Sequence, residues 1–422
     1  MNRGAHKRTV KPAVRSSNAR YVLVQASAQL APVAAAPLIT RLYSSADYGA
    51  LGVFGASCAL LAAVATGRYQ RATLLAADGT EAIATTRVAL GVSTLFCALV
   101  AAIEFVTYPL WHSTSIARSL GTWVYAIPAA GLLLATYDCF YHFSLRAGNL
   151  SAINRASVKR SVVNVGATLG LGLANWGASG TISGTVLSQV TSVRSLSRDY
   201  AIAARGVRTP FAILRRAAAR HARFPKYDLW ANLALVGTYN LIPLALAGFY
   251  SPAAVGLYSL AYRLLALPAD LIGTSMGELY FRKVAAQRRS GGPTSPVFWR
   301  TLTVTGLAGL SSVVVAPFAP SVFGVVFGTS WREAGAVAAV MVPHVAARLA
   351  ATPLFSSFAV FDRQHELLVG QVMLLVGTVV IFASLSSLTL TSMLLIHSCA
   401  MAGIYLALLA RCALLNSRYG AR

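Results

Sequence analysis

Ionisable and amide side chains recur at helical spacing inside segments that are otherwise apolar. Gly256, Ser259, Arg263, Ala266, Asp270, Thr274 and Gly277 follow one another every three or four residues, which puts them on one face of a single helix. His344, Arg348, Thr352 and Ser356 recur every four residues in a second segment, and Asp138, His142 and Arg146 do so in a third. Gln25 and Gln29 stand one turn apart near the N-terminus, and Asn232, Tyr239 and Asn240 occupy a comparable segment farther on. Polar groups in hydrocarbon are costly and mark substrate or ion paths. Arg263 and Arg348 would make such a path cationic, while Asp138, His142 and Asp270 could exchange a proton or cation. The competing reading is structural, with each arginine paired to Asp270 or Asp138 and Asp138–His142 a packed polar pair. Arg263 and Asp270 lie about 10 Å apart along one helix, so ion pairs would have to form between helices.

The elements that carry these residues must be membrane helices. With 56% apolar residues, 11% charged residues and a mean hydropathy of +0.62, a 422-residue chain exceeds what one water-soluble core can hold. Apolar stretches of about 20 residues predict helices over 20–40, 48–67, 86–107, 119–144, 158–175 and 178–193, then over 227–249, 255–280, 301–326, 334–361, 367–387 and 390–411. This is an all-α polytopic protein of about twelve spans. The fifth and sixth segments are glycine-rich, and Gly166/Gly170 and Gly180/Gly184 have the G-x-x-x-G spacing of close helix packing.

The two halves repeat. RLYSSADYGALGVF (Arg41 to Phe54) is echoed by GFYSPAAVGLYSLA (Gly248 to Ala261) at an offset of 248 − 41 = 207 residues, matching Tyr43 to Tyr250, Ser44 to Ser251 and Gly49 to Gly256. Gln25 falls opposite Asn232 at the same offset, and Pro128 opposite Pro343 at 215. Duplicated halves are common among transporters, with the substrate site between them.

Charge orients the bundle. Basic residues cluster at Arg3, Lys7, Arg8, Lys11, Arg15 and Arg20, at Arg146, Arg155, Lys159 and Arg160, and at Arg282, Lys283, Arg288, Arg289 and Arg300. Nine more lie between Arg194 and Lys226 against one acid, Asp199, whereas the opposite face carries only Arg41, Arg118 and Arg332. Retention of Lys and Arg in cytoplasmic loops puts both termini inside. The expected organisation is a basic cytoplasmic arm (1–19), a six-helix bundle (20–193), a basic linker (194–226), a second bundle (227–411) and a tail (412–422). The arm precedes a full-length span and reads as a cytoplasmic extension, not a cleaved signal. A net charge of +24 flanks helix ends without forming a basic domain, so anionic membrane lipid, not nucleic acid, is the expected partner. Abundant arginine and alanine suit a GC-rich bacterial genome.

The absences narrow the chemistry. The sequence has no phosphate-binding G-x-x-x-x-G-K-[ST] loop and no H-E-x-x-H helix, and its five cysteines are scattered, so no metal or other cofactor is expected. Outward loops of roughly five to twelve residues, judged from the span lengths, are too short for the outer domain of a membrane glycosyltransferase or polymerase. The expectation is a transporter and no enzyme.

PLITRLYSSADYGALGVF, with GRYQRATLL (Gly67 to Leu75) and Glu81-Ala82 beyond it, resembles the O-antigen-type polysaccharide flippases of the multidrug/oligosaccharidyl-lipid/polysaccharide exporter superfamily. YSPAAVGLYSLAYRLLALPADLIG (Tyr250 to Gly273) and FGTSWREAG (Phe327 to Gly335) extend the likeness through the second half. The chain departs from the pattern after Arg68-Tyr69, where Gln70 and Arg71 replace a common acid. The resemblance implies two six-helix bundles in a V and alternating access. Its cargo would be an undecaprenyl-diphosphate-linked oligosaccharide, moved to the outer leaflet of the bacterial inner membrane for lipopolysaccharide O-antigen, capsule or exopolysaccharide. A polymerase and glycosyltransferases would then be functional partners. On this reading Arg263 and Arg348 bind the diphosphate and Gln25, Gln29, Asn232, Tyr239 and Asn240 meet sugar hydroxyls. Asp138, His142 and Asp270 are candidates for a coupling ion. The alternatives are a drug or small-molecule antiporter of the same superfamily, a peptidoglycan-precursor flippase, usually two helices longer, and a polysaccharide polymerase.

Overall fold

The computed structural model describes residues 12–419. Arg3, Lys7, Arg8 and Lys11 of the expected arm and residues 420–422 of the expected tail lie outside the described residues, as does the side chain of Thr274. Within the described residues the regular elements are all helical. The first half holds α1 (Pro12–Ala34, resumed after Ala35 by Ala36–Leu42), α2 (Ser45–Ala65), α3 (Gly79–Trp111), α4 (Ile127–Arg146), α5 (Leu150–Leu173) and α6 (Gly177–Ala203). A linker helix, Phe211–Arg220, leads to α7 (Leu229–Phe249), α8 (Pro252–Arg289), α9 (Ser295–Val315, extended by Ala319–Phe327), α10 (Arg332–Ala351), α11 (Gln364–Ser384) and α12 (Leu390–Tyr419). These are the twelve helices predicted, six in each half. Among the described residues ten segments, all but α5 and α6, are long and apolar enough to cross a membrane, and the chain is a multi-pass helical membrane protein.

Several helices outrun their apolar stretches. α5 starts at Leu150 and not near 158, α6 runs to Ala203 and not 193, and α8 to Arg289 and not 280. Arg155, Arg194, Arg198, Arg282 and Lys283 are therefore helical, although their charge suggested loops. Hydropathy reports where hydrocarbon ends, whereas a helix ends where its terminal amides and carbonyls find other partners. At α5 that partner is Asn149, whose side-chain oxygen accepts from the Ala152 amide, one residue after Gly148 turns the chain at φ 69°. Likewise α1 already begins inside the expected arm, and α12 continues to Tyr419.

The repeat tracts make the main contact between halves. Ser44 caps α2 through a capping box with Asp47, and Ser251 caps α8 by accepting from the Ala254 amide. The two capped helices then cross backbone to backbone. A Cβ on Gly49 would lie 1.8 Å from the Pro252 carbonyl oxygen, and one on Gly256 would lie 1.8 Å from that of Ser45. Gly49/Gly256 and Ser45/Pro252 are each 207 residues apart. The contact is thus self-complementary, as a two-fold axis between the halves requires. The repeat tyrosines do matching work. The Tyr43 hydroxyl donates to the Thr168 carbonyl at 2.7 Å and that of Tyr250 to Leu388 at 2.9 Å. Burial, helped at Tyr43 by the nearby Asp47 charge, raises both phenols above their ordinary range, so they stay protonated donors.

Around the crossing this end is sealed. Thr40 Oγ1 donates to the Phe327 carbonyl at 3.1 Å, Trp331 Nε1 donates to the Thr40 carbonyl at 3.0 Å, and Trp331 packs edge-on to Tyr48. At the other end the symmetry is broken. α2 packs along α7, with Asn232 donating to the Ala63 carbonyl at 3.3 Å and Asp228 bridging Arg68 at 2.7 Å and Arg71 at 3.2 Å. The equivalent flank, α1 against α8, is scarcely in contact. The linker helix is held to α3 by Arg220 and His221 on Glu81, at 3.1 and 3.2 Å.

Replacing Gly49 or Gly256 with alanine should lower the melting temperature of the purified protein by several degrees, because the added methyl meets backbone that cannot yield; overpacking costs about 1–3 kcal/mol. Gly91, with open space around it, should tolerate alanine with no loss in the same thermal-shift measurement.

Candidate functional site

Two cavities open beside α2, which forms a wall of both. The first, about 540 Å³, lies among α1, α2, α4, α5, α6 and α8. α5 contributes Ser157, Arg160, Ser161, Asn164 and Thr168, α6 contributes Thr181, Thr185 and Ser188, α1 contributes Gln25 and Gln29, and α8 contributes Arg263. These polar positions recur every three or four residues, so each helix turns one hydroxyl- or amide-bearing face inward. Among the described residues no carboxylate lines this cavity.

Arg263 is its distinguishing feature. It is exposed to the cavity, and among the described residues it has no hydrogen-bond or ion-pair partner. From the Pro252 end of α8 it lies about 17 Å along the helix axis, at 1.5 Å per residue, near the middle of a hydrocarbon layer about 30 Å thick. An unpaired cation at that depth needs water or an anion to compensate it.

The second cavity, about 660 Å³, lies within the second half between α7, α8, α10, α11 and α12, closed off by α2. Arg348 is there, but it is engaged. Its guanidinium pairs with Asp270, donates to the Tyr262 hydroxyl at 3.3 Å and lies 4.9 Å from the centre of the Tyr239 ring. The Tyr239 and Tyr405 hydroxyls are hydrogen-bonded, and the His344 ring stacks against both rings.

The expected single cleft is therefore divided. Arg263, Gln25 and Gln29 share the first cavity, whereas Arg348, Tyr239 and Asn240 share the second. Gln25 also donates to Asn154 at 3.0 Å, and Asn240 to the Val236 carbonyl of its own helix at 2.9 Å. Asn232 lines neither cavity and binds α2 through Ala63. Asp138 and His142 line neither, and a His142 ring nitrogen lies 2.8 Å from the Asp138 carbonyl one turn back. Asp270 holds Arg348.

Arg160 and the hydroxyl wall of α5 and α6 were not singled out from the sequence. The signal was present. Ser157, Ser161, Asn164 and Thr168 form a polar stripe around Arg160, and it lowers the hydropathy of that helix because the helix faces a wet cavity.

The sequence profile of a family described as polysaccharide biosynthesis protein matches residues 38–336. The chain belongs to this family. No curated protein sequence matches it. Among solved structures it resembles a multidrug resistance MATE family transporter of the MOP superfamily in its inward-facing conformation, at 15% identity and a TM-score of 0.67, with 94% of this chain and 98% of that one covered. The lipid II flippase MurJ in an inward closed conformation aligns at 10% identity and a TM-score of 0.70, covering 96% and 91%. An outward-facing MATE family transporter aligns at 12% identity and 0.58, covering 94% and 96%. At these identities the likeness establishes the fold of this family member, two repeated six-helix halves.

The two arginines should respond oppositely to truncation. Arg348→Ala removes an ion pair, a hydroxyl contact and a ring contact together, and a lower melting temperature is expected, corresponding to about 1–3 kcal/mol. Arg263→Ala removes a cation with no protein partner, so thermal-shift measurement in detergent should find stability unchanged or increased.

Proposed function

We propose that this protein is an inner-membrane flippase that carries an undecaprenyl-diphosphate-linked oligosaccharide to the outer leaflet for surface polysaccharide assembly, without catalysing a covalent step. One observation carries the proposal: the unpaired Arg263 faces a polar cavity with no carboxylate. A diphosphate cannot enter about 30 Å of hydrocarbon bare, but guanidinium donors in a wet cavity replace its hydration with charge-assisted, often bidentate hydrogen bonds. The α5 and α6 hydroxyls, with Gln25 and Gln29, offer partners for sugar, and the weakly packed α1–α8 flank lets the polyprenyl tail stay in lipid.

The polysaccharide family supports the glycan part of this reading, and the flippase fold of MurJ supports lipid-linked cargo. With the basic ends of the helices in the cytoplasm, the sealed end at Thr40 and Trp331 faces outward and the cavities are loaded from inside. Both termini are then cytoplasmic. Outward movement of an anion from an inside-negative cell gains about 2.3 kcal/mol per charge per 100 mV. An antiporter for cationic drugs, the rival reading on this fold, would want an acidic cavity. Among the described residues the only carboxylate placed against either arginine, Asp270, is already bound to Arg348.

In a host deleted for the gene, the wild-type protein should restore surface polysaccharide, and Arg263→Ala should not, although it reaches the membrane in normal amount. Lipid-linked oligosaccharide should then accumulate in the cytoplasmic leaflet. Normal export by a well-expressed Arg263→Ala variant would remove Arg263 from the mechanism, and unchanged glycan with altered drug sensitivity in the deletion strain would favour the antiporter.

A further inference from the structure

We propose that Arg160 is the second phosphate-binding residue of the cargo site, so that one diphosphate is held between a cation of the first half and Arg263 of the second. The inference rests on the flippase reading above and names a residue which that reading does not require.

Arg160 lines the same cavity as Arg263. Its guanidinium lies 5.5 Å from the centre of the Tyr137 ring, a cation–π contact that steadies the side chain without neutralising it. Among the described residues it has no ion pair, and none of its N–H donors has an acceptor. Asp138, on the adjacent α4, is not paired with it.

The two cations sit at matching depth. Gly172, at the far end of α5, packs against Tyr43, and Pro252, at the start of α8, packs against Gly49, so both ends belong to the sealed side of the molecule. Counting 1.5 Å per residue, Arg160 is about 20 Å from the Leu173 end of α5, and Arg263 about 17 Å from the Pro252 end of α8.

A second, independent observation points to a ligand. Ser161, next to Arg160 and lining the cavity, is only 6% exposed, and its Oγ has no hydrogen-bond partner. Both amide atoms of Gln189, beside the lining residue Ser188, are likewise buried without partners. Buried polar atoms are nearly always satisfied, and glycan hydroxyls next to a diphosphate would satisfy these.

The arrangement has a mechanical consequence. Arg160 moves with the first half and Arg263 with the second, so an anion between them favours conformations in which both are close. Cargo then biases the equilibrium between cavity states, which a ligand contacting one half alone does not do.

The test uses the full-length protein in lipid nanodiscs with two probes, inorganic pyrophosphate and a polyprenyl diphosphate placed in the nanodisc lipid. Wild type should bind pyrophosphate, and the polyprenyl diphosphate should displace it. Arg160→Gln should weaken pyrophosphate binding tenfold or more, and Arg160→Lys should recover part of the loss. Arg155→Gln, which removes an equal charge from the same helix where it pairs with Asp199, should leave binding unchanged. Phenylglyoxal labelling of wild type, read by peptide mass spectrometry, needs no variant to fold, and pyrophosphate should protect Arg160 and Arg263 together. Protection of Arg263 alone, with wild-type affinity in Arg160→Gln, would overturn the inference and leave the flippase reading standing. Failure of wild type to bind either diphosphate would remove both, and pyrophosphate binding that the lipid cannot displace would assign the pair to a soluble anion.

Discussion

Two glycines, Gly49 and Gly256, allow α2 and α8 to cross with their backbones in contact, and the rest of the architecture follows from that crossing. Because each glycine meets the first turn of the opposite helix, the contact is reciprocal and defines the axis relating the halves. It draws Thr40, Tyr48, Phe327 and Trp331 together and seals one end. Helices joined tightly at one end and less tightly beyond it enclose space, and both cavities have α2 as a wall. The asymmetry between the α2–α7 flank, held by Asp228 and Asn232, and the α1–α8 flank gives that space a side facing lipid.

Within this frame the two central arginines are differently disposed. Arg348 is consumed by Asp270, Tyr262 and Tyr239, and the aromatic rings around it make the second cavity a braced interior of the second half. Arg263, one residue beyond Tyr262 on α8, turns to the first cavity and among the described residues has no such contacts. A fold that leaves a cation unpaired in the membrane forgoes stability that a leucine would supply at no cost, and such sites are where function is found. The hydroxyl and amide wall opposite Arg263, which among the described residues carries no carboxylate, suits an anionic head with a sugar attached better than a cationic drug.

Much of this was legible in the sequence. The 207-residue echo located the glycines and tyrosines that the halves share, and the spacing around Arg263 placed it on an inward face. What composition could not separate was one cleft from two, since Arg263 and Arg348 carry the same charge at similar depth. Their difference lies in Asp270 being reachable from α10, a tertiary fact. Asp138 and His142 looked like a coupling site because they stand one turn apart, yet that spacing also lets a histidine reach its own helix backbone, which it does here. Arg160 falls inside the apolar stretch expected over 158–175, but its charge groups it with the cytoplasmic-face cluster of Arg146, Arg155 and Lys159. The low hydropathy of that stretch was the trace of the cavity wall.

The most direct measurement is leaflet transfer by the purified protein. In proteoliposomes carrying a fluorescent polyprenyl-diphosphate-linked oligosaccharide, a membrane-impermeant reagent reports the fraction of glycan exposed outside. The account predicts transfer that depends on the wild-type protein, proceeds without ATP and leaves the glycan unchanged in length. Glycan that stays in its original leaflet while the same vesicles exchange a small cation, or glycan that is lengthened, would contradict it.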